Sequence, residues 1–402
     1  MKDLVLIGGG HSHAIVLKMF GIKPLPGVRL ILISDVLHAP YSGMLPGHVA
    51  GFYNYDRCHI DLRSLAEFAG CQILVDRAIA IDFNKNLVIC QTRPPVNFDL
   101  LSVDIGSTPA TLSVPGATEY AIAAKPVPEF LASWNQLISE RQNHPEKPLR
   151  IVIVGGGAGG VELALNMQSR LGKEEGRGKR EEKRGKREEN LSSEIHLFHS
   201  GAELMQGHNQ RVRRRLQEII ISRGIQLHLK EKVCAVEKME RETNSQITIT
   251  DYQISCKSGF KLKCDRIFWV TQASAPNWIG KSGLATDSNG FMQVNDCLQS
   301  VSHPNVFGAG DIAAMVNYPR PKAGVFAVRQ GKPLFENLQQ FLLGKPLKPF
   351  VPQEQYLGLI GTGNKRAIAS RGNFMWESAL LWYWKDWIDR QFMQKFSNLT
   401  QK

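Results

Sequence analysis

The sequence holds no apolar stretch approaching the ~18 residues that a membrane-spanning helix needs. Its cysteines, Cys58, Cys71, Cys90, Cys234, Cys256, Cys264 and Cys297, form no C-x-x-C pair and none of the spacings of a zinc site. Their odd number also argues against a disulfide framework, so a reduced, cytoplasmic setting without a resident metal is expected. Met1-Lys2-Asp3 leads straight into an apolar strand and glycines, which excludes the pattern of an export signal. Hydrophobic residues make up 43% and charged residues 21%, too apolar a balance for wholesale disorder. Negative charge is in deficit, and a net charge of +12 admits nucleic acid, anionic membrane surfaces or anionic cofactors as partners. Nucleic acid is set aside: the basic cluster Arg211, Arg213, Arg214 and Arg215 lacks the interleaved aromatics of a stacking surface, and a solvated helix face accounts for it equally well.

One glycine is missing as well. LVLIGGGHSHAIVLKMF, Leu4 to Phe20, reads as a strand, a glycine turn and a helix start, the opening of a dinucleotide-binding unit. Gly8 and Gly10 stand in register, but His13 takes the third position, where a small residue normally lets helix and strand approach. The unit recurs complete at Arg150 to Leu165, RIVIVGGGAGGVELAL, with Gly155, Gly157 and Gly160. Glycines let the backbone approach a pyrophosphate, whose charge sits at the helix N-terminus among unpaired N–H groups. Two such units imply two dinucleotides.

The strand after the first unit ends at Ser34, 26 positions beyond Gly8; the corresponding strand in the second ends at His199, 44 beyond Gly155. The excess of 18 equals the length of Lys173 to Asn190, a charged segment with a tandem heptad and no apolar residue, which reads as a disordered, solvated insertion. An acid commonly closes such strands to hold a ribose hydroxyl. The first unit offers Asp35; the second offers His199 and no carboxylate to repel a 2′-phosphate, so NADPH is admitted beside NADH.

HPNVFGAGDIAAM, His303 to Met315, is a third strand and turn, with Gly310 and an acid, Asp311, able to accept from sugar-like hydroxyls. In this order the parts resemble the flavoproteins with two dinucleotide-binding domains of the pyridine nucleotide-disulfide oxidoreductase superfamily. FDLLSVDIGSTP, Phe98 to Pro109, is similar to the family's exit from its first domain, although Asp104-Ile105-Gly106 replaces the usual Ala-Thr-Gly; CDRIFWVTQASAPN, Cys264 to Asn277, is similar to its return. No C-x-x-x-x-C follows the first motif, which sets aside the disulfide reductase branch. The remainder looks like the type II NADH:quinone dehydrogenases, and GGGHSH, PYSGMLPG and KAGVFAVRQG look closest to a subgroup found fused to selenide, water dikinase.

The resemblance implies an α/β fold of two Rossmann-like domains. FAD is expected in residues 1–115 and 295–350, NAD(P)H in 116–294 with the insertion 173–190 inside it, and a C-terminal extension over 351–402. FAD contacts are expected from Gly8, Gly10, His11, Ser12, His13, Asp35, Gly106, Gly310 and Asp311, with Tyr41 to Pro46 lining the flavin and Lys322 to Val325, Ala323 and Gly324 among them, presenting a helix start to it. NADH or NADPH is expected at Gly155, Gly157, Gly160, Glu162 and His199. Each has a plainer alternative: His13 as a packed residue, Glu162 as an acid favoured by the helix dipole. Because the flavin carries the chemistry, no acid or base is assigned beyond weak candidacies for Glu162 and Lys322. A metal group of His11, His13, Cys58 and His59 is set aside, since nothing fixes the two pairs together. The implied activity passes hydride from NAD(P)H to flavin and electrons onward, to a quinone above all; the alternatives are a slow redox sensor or a non-quinone acceptor.

WESALLWYWKDWIDRQFMQKF, Trp376 to Phe396, carries Trp376, Leu380, Trp384, Ile388, Phe392 and Phe396 at four-residue steps, broadened by Tyr383 and Trp387, with Lys385, Asp389 and Lys395 outside that face. Such a helix suits either a peripheral membrane surface or packing, on its own core or a second copy in a homodimer.

Overall fold

In the computed structural model, which describes residues 1–109, 114–182, 193–242, 248–271, 273–397 and 399, two five-stranded parallel sheets follow one plan. Lys2–Ile7 is central in the first, flanked by Val28–Ser34 and Leu100–Val103, with Cys71–Val75 and Val306–Gly308 at the edges. Leu149–Val154 is central in the second, flanked by Ser193–His199 and Arg266–Trp269, with Gln226–Leu229 and Ile122–Ala123 outside. Leu4 to Ile7 and Ile151 to Ile153 are buried without alternation, as parallel strands covered on both faces must be. Each central strand turns through its glycines into a helix, His11–Ile22 or Ala158–Glu182.

The chain crosses between the units twice, and the crossings pair with one another: Thr108–Pro109 runs antiparallel to Ala273–Ser274. The return therefore comes earlier than residue 295. Ala275, Ile279, Leu284, Phe291, Met292 and Val294 all bury in the first core, and Met292–Val294 pairs with Ala313–Met315. The charged insertion also differs from expectation, because the helix runs on through Lys173 to Glu182. Lys, Arg and Glu are good helix formers and can extend a helix that is already nucleated. The rest of the insertion lies outside the described residues.

The missing glycine is accommodated by a polar slot. His13 is fully buried, its Nδ1 2.7 Å from the Gly8 carbonyl and its Nε2 2.8 Å from Ser102 Oγ on the neighbouring strand. Burial lowers its pKa to about 4, so the ring is neutral. Close approach is supplied elsewhere: Gly331, on the helix Gly324–Leu342, faces Ile15, and an added Cβ would come within 2.7 Å of the Ile15 Cβ. His13 is thus placed as a packed residue, both ring nitrogens engaged by the protein.

The extension forms a three-stranded antiparallel sheet, Gly358–Gly361, Ala367–Arg371 and Phe374–Ser378, and the helix Ala379–Ser397. Trp376 lies in the last strand, so the four-residue row is not one face. Phe392 and Phe396 bury in the first core, whereas Leu380, Trp384 and Ile388 are exposed. Lys385 and Asp389, expected outside the apolar face, turn inward as an ion pair of 2.6 Å with the Lys385 ammonium 2.5 Å from the Gly43 carbonyl.

Replacing His13 with Leu strands a buried hydroxyl and a buried carbonyl, at roughly 1–3 kcal/mol for each group. Urea denaturation is expected to show a loss of about 2 kcal/mol or more; a variant as stable as the parent would contradict the packing role.

Candidate active site

A cavity of about 610 Å³ opens along the first glycine turn, within the range of small-molecule sites. Gly8, Gly10 and His11 line it at the turn, Asp35 and Arg77 at one end, and Asp311, Ser42 and Gly324 elsewhere on its wall. The sequence fixes this placement through the sheet: the turn leaves the central strand at the switch in strand order, where open α/β sheets bind ligands. Gly8 adopts φ +90°, and a Cβ on it would overlap the Asp104 carbonyl.

The walls are polar at defined points. Asp311 Oδ2 accepts from Lys125 Nζ at 3.0 Å and from Ser107 Oγ at 3.1 Å. Burial acts to raise its pKa, but Lys125, with Ser107 and Lys322, outweighs that and holds Asp311 below the usual carboxylate value. Asp35 pairs with Arg77 at 2.9 Å. His11 Nε2 is buried with no partner among the described residues, and burial lowers the ring's pKa to about 4. An orphaned polar atom on a cavity wall, beside a glycine turn at a helix N-terminus, fits a ligand with both phosphates and hydroxyls.

Asp104 is a further acid on this wall, and sequence reasoning had noted it only as a departure from Ala. It is 2% exposed. Its Oδ2 accepts the His13 N–H at 3.1 Å, the Ser12 N–H also serves it, and its carbonyl accepts the Gly10 N–H at 3.1 Å. Burial pushes its pKa up to about 7 against those backbone donors. Lys125 gave no sequence signal at all, since it reaches Asp311 across a distant segment.

Other expected contacts sit off this cavity. Ser12 Oγ donates to the Ala327 carbonyl at 2.6 Å, and Gly310 packs beneath it against Asp104. Tyr41 turns to the C-terminal helix, its ring 4.6 Å from Phe392, while Pro40 and Ser42 face the cavity. Pro46 lies in the short helix Leu45–Val49. Ala323 precedes the helix at Gly324, and Lys322, close enough to act on Asp311, donates to the Ala313 carbonyl at 2.7 Å over the Phe291 ring. Burial lowers Lys322 to about 8. Gly106 stays on the cavity wall.

In the second unit Gly155 adopts φ +133°, Gly160 packs on the Gly155 carbonyl, and a Cβ on Gly157 would meet open space. His199 lies against Gly156, its buried Nε2 without a partner among the described residues. Glu162 is turned elsewhere: its Oε1 accepts the Gly361 N–H at 2.7 Å, and burial raises its pKa. It is beyond the first helical turn, so the plainer reading of an acid favoured by the helix dipole does not describe it. Arg213 pairs with Glu203, and Arg215 with Glu377 at 2.6 Å, which leaves Arg211 and Arg214 exposed.

Two parallel nucleotide-binding sheets with these turns define a two-dinucleotide oxidoreductase fold. The chain belongs to the pyridine nucleotide-disulphide oxidoreductase family, whose pattern it matches over residues 2–331. It is 25% identical over 355 residues to ferroptosis suppressor protein 1 of Xenopus tropicalis, covering 87% of this chain and 83% of that one. It is 23% identical to the NADH dehydrogenase-like protein YutJ of Bacillus subtilis, over 96% of this chain and 99% of that one. Demethylphylloquinone reductase NdbB of Synechocystis is 25% identical over 67% of this chain and 61% of its own. The structure of NDH2 from Plasmodium falciparum in complex with NADH superposes with a TM-score of 0.79 at 15% identity, covering 98% and 97% of the two chains. The protein is a flavoprotein oxidoreductase that uses FAD and NADH or NADPH. FAD fits the first cavity: the glycine turn suits its pyrophosphate and Asp311 its hydroxyl-bearing chain.

Changing Lys125 to Met removes the cation of Asp311. A carboxylate held below its unfolded pKa stabilises the fold above that value and loses this as pH falls through its folded pKa. The variant is therefore expected to unfold at lower urea than the parent near neutral pH, with the gap closing in strong acid. A gap independent of pH would contradict the pairing.

Proposed function

We propose that the protein passes two electrons from NADH or NADPH through FAD to a quinone, working at a membrane surface. The observation that carries this is the apolar outward face of the C-terminal helix, whose inward face holds Leu381, Trp382, Phe392 and Phe396 together with Asp389. Its charged pair Lys385 and Asp389 faces the cavity-side loop at Tyr41 and Gly43, while Leu380, Tyr383, Trp384, Trp387 and Ile388 face outward, Trp387 being 59% exposed. Phe374 and Trp376 of the adjoining strand extend the patch. Aromatic rings with polar tips suit the bilayer interface, and an acceptor dissolved in lipid would reach a helix that touches the flavin-side loop. The attachment in this reading is peripheral, on the cytoplasmic face; no helix among the described residues is long and apolar enough to cross a membrane.

The names of the relatives speak for the same donor and acceptor: NADH dehydrogenase-like for YutJ and demethylphylloquinone reductase for NdbB. GGGHSH, PYSGMLPG and KAGVFAVRQG support a place near the subgroup found fused to selenide, water dikinase. The chemistry that FAD supplies when bound is two-electron transfer between nicotinamide and acceptor. The chain contributes position: Asp311 with Lys125 orients the hydroxyl-bearing chain, and Gly324 opens a helix whose positive end favours negative charge.

Steady-state oxidation of NADH and NADPH with a short-chain, water-soluble quinone tests the reading. Quinone-dependent turnover is expected, and its absence with tightly bound flavin would favour a sensor. Asp311→Ala is expected to weaken FAD retention about tenfold or more, the scale of a lost hydrogen bond to a charged group, with little change in nicotinamide binding; equal losses would contradict its assignment. Exchanging both Trp384 and Trp387 for Gln should leave soluble-quinone turnover intact and abolish co-sedimentation with quinone-containing vesicles. Sedimentation unchanged by the exchange would remove the membrane role.

A further inference from the structure

The wall of the first cavity holds two acids in opposite circumstances. Asp311 has a cation, Lys125, at 3.0 Å. Asp104 has none within hydrogen-bond reach; its carboxyl group is served by the Ser12 and His13 N–H groups at the start of the helix His11–Ile22. It is wedged between two glycines, since a Cβ on Gly10 or on Gly310 would overlap it. The N–H groups that a helix start offers an anion are thus divided. Asp104 takes Gly10 through its carbonyl and Ser12 and His13 through its carboxyl, leaving those of Gly9 and His11, at the same turn, for a phosphate.

One helix terminus carries the equivalent of about half a positive charge. A buried carboxylate and a pyrophosphate dianion compete for it, and the cations near this wall are already engaged: Lys125, which also acts on Asp104, pairs with Asp311, Arg77 pairs with Asp35, and Lys322 acts on Asp311. From the helix side the facing groups are His11 and His13, both neutral through burial. From the Gly310 turn comes Asp311, negative and paired to Lys125; from the helix Gly324–Leu342 come Ala327 and the uncharged Gln330, whose Oε1 accepts the Gly310 N–H at 2.7 Å. From the loop after Asp104 comes Ser107, shared with the same lysine.

We propose that Asp104 enters the FAD complex as the neutral carboxylic acid, so that binding of the cofactor takes up one proton at this side chain. Oδ2, as the carbonyl oxygen of the acid, still accepts the His13 N–H, and the only full negative charge at the helix start is then the cofactor's. Asp104 is a positioning residue, holding the glycine turn in the shape that receives the phosphates while adding no charge beside them. Its pKa without cofactor, near 7 from burial, puts the linkage in an accessible range. The proposal rests on the assignment of FAD to this cavity.

The test titrates FAD into stripped apoprotein by flavin fluorescence quenching from weakly acidic to alkaline pH, with proton uptake measured in weak buffer. Wild-type affinity is expected to fall with rising pH, approaching tenfold per unit on the alkaline side, with up to one proton taken up per FAD. Asp104→Asn, which mimics the neutral acid, is expected to bind as the wild type does at acid pH, with a flat profile and no uptake. A wild type whose affinity and proton count do not change with pH overturns the proposal whether or not the variant folds. So does a folded Asn variant that keeps the slope, or one that no longer holds FAD at any pH. Wild-type apoprotein that binds no FAD under any condition would instead overturn the cofactor assignment beneath it.

Discussion

Everything at the site depends on how the first glycine turn is clamped. The Gly8 N–H donates to the Ile33 carbonyl at 2.8 Å, the Gly10 N–H to Asp104, and the Asp104 N–H to the Ile7 carbonyl at 2.8 Å, so the turn is tied to the strands on either side of it. The Ala309 N–H donates to Val103 at 3.0 Å, and the Gly310 N–H is held by Gln330. One set of backbone bonds therefore sets where the phosphate-binding turn lies and where Asp311 presents its carboxylate. Side chains larger than hydrogen at Gly8, Gly10 or Gly310 would displace all of it at once.

The C-terminal extension joins the two nucleotide units across this clamp. Glu162 and Arg215 of the second unit hold its sheet through Gly361 and Glu377, while Lys385 and Asp386 of its helix reach Gly43 and Tyr53 of the first. Phe392 and Phe396 anchor the far end of the helix in the first core. Such a helix cannot be a loose appendage. Its inward face buries Leu381, Trp382, Phe392 and Phe396 around the Lys385–Asp389 pair, while a second apolar set, Leu380, Tyr383, Trp384, Trp387 and Ile388, is left outward, as suits a face that something other than water covers.

The sequence carried the fold because its main signals are local. A run such as LVLI followed by glycines at fixed spacing specifies strand, turn and helix with no knowledge of the rest of the chain. Asp311 was legible for the same reason, sitting one residue after a glycine at a strand end. What escaped was set by distant segments. Lys125 finds Asp311 across 186 positions, and Ser102 gives His13 its partner across 89. Tyr41 and Pro46 were read with the cavity loop, but there Ala39, Pro40 and Ser42 line the cavity, while the Tyr41 ring packs on the distant Phe392 and Pro46 sits in a short helix. In the C-terminal helix the hydrophobic row gave the periodicity but not the direction. Burial of Lys385 and Asp389 depends on Gly43, an acceptor more than 300 positions away.

The central claim, that this chain joins a bound flavin to a nicotinamide donor and a quinone acceptor, is most directly tested by following the flavin absorbance of the purified protein under anaerobic conditions. Stoichiometric NADH or NADPH is expected to bleach the flavin band, and a stoichiometric amount of soluble quinone to restore it in full. A flavin that nicotinamide does not bleach, or one that stays reduced in the presence of quinone, would contradict the account.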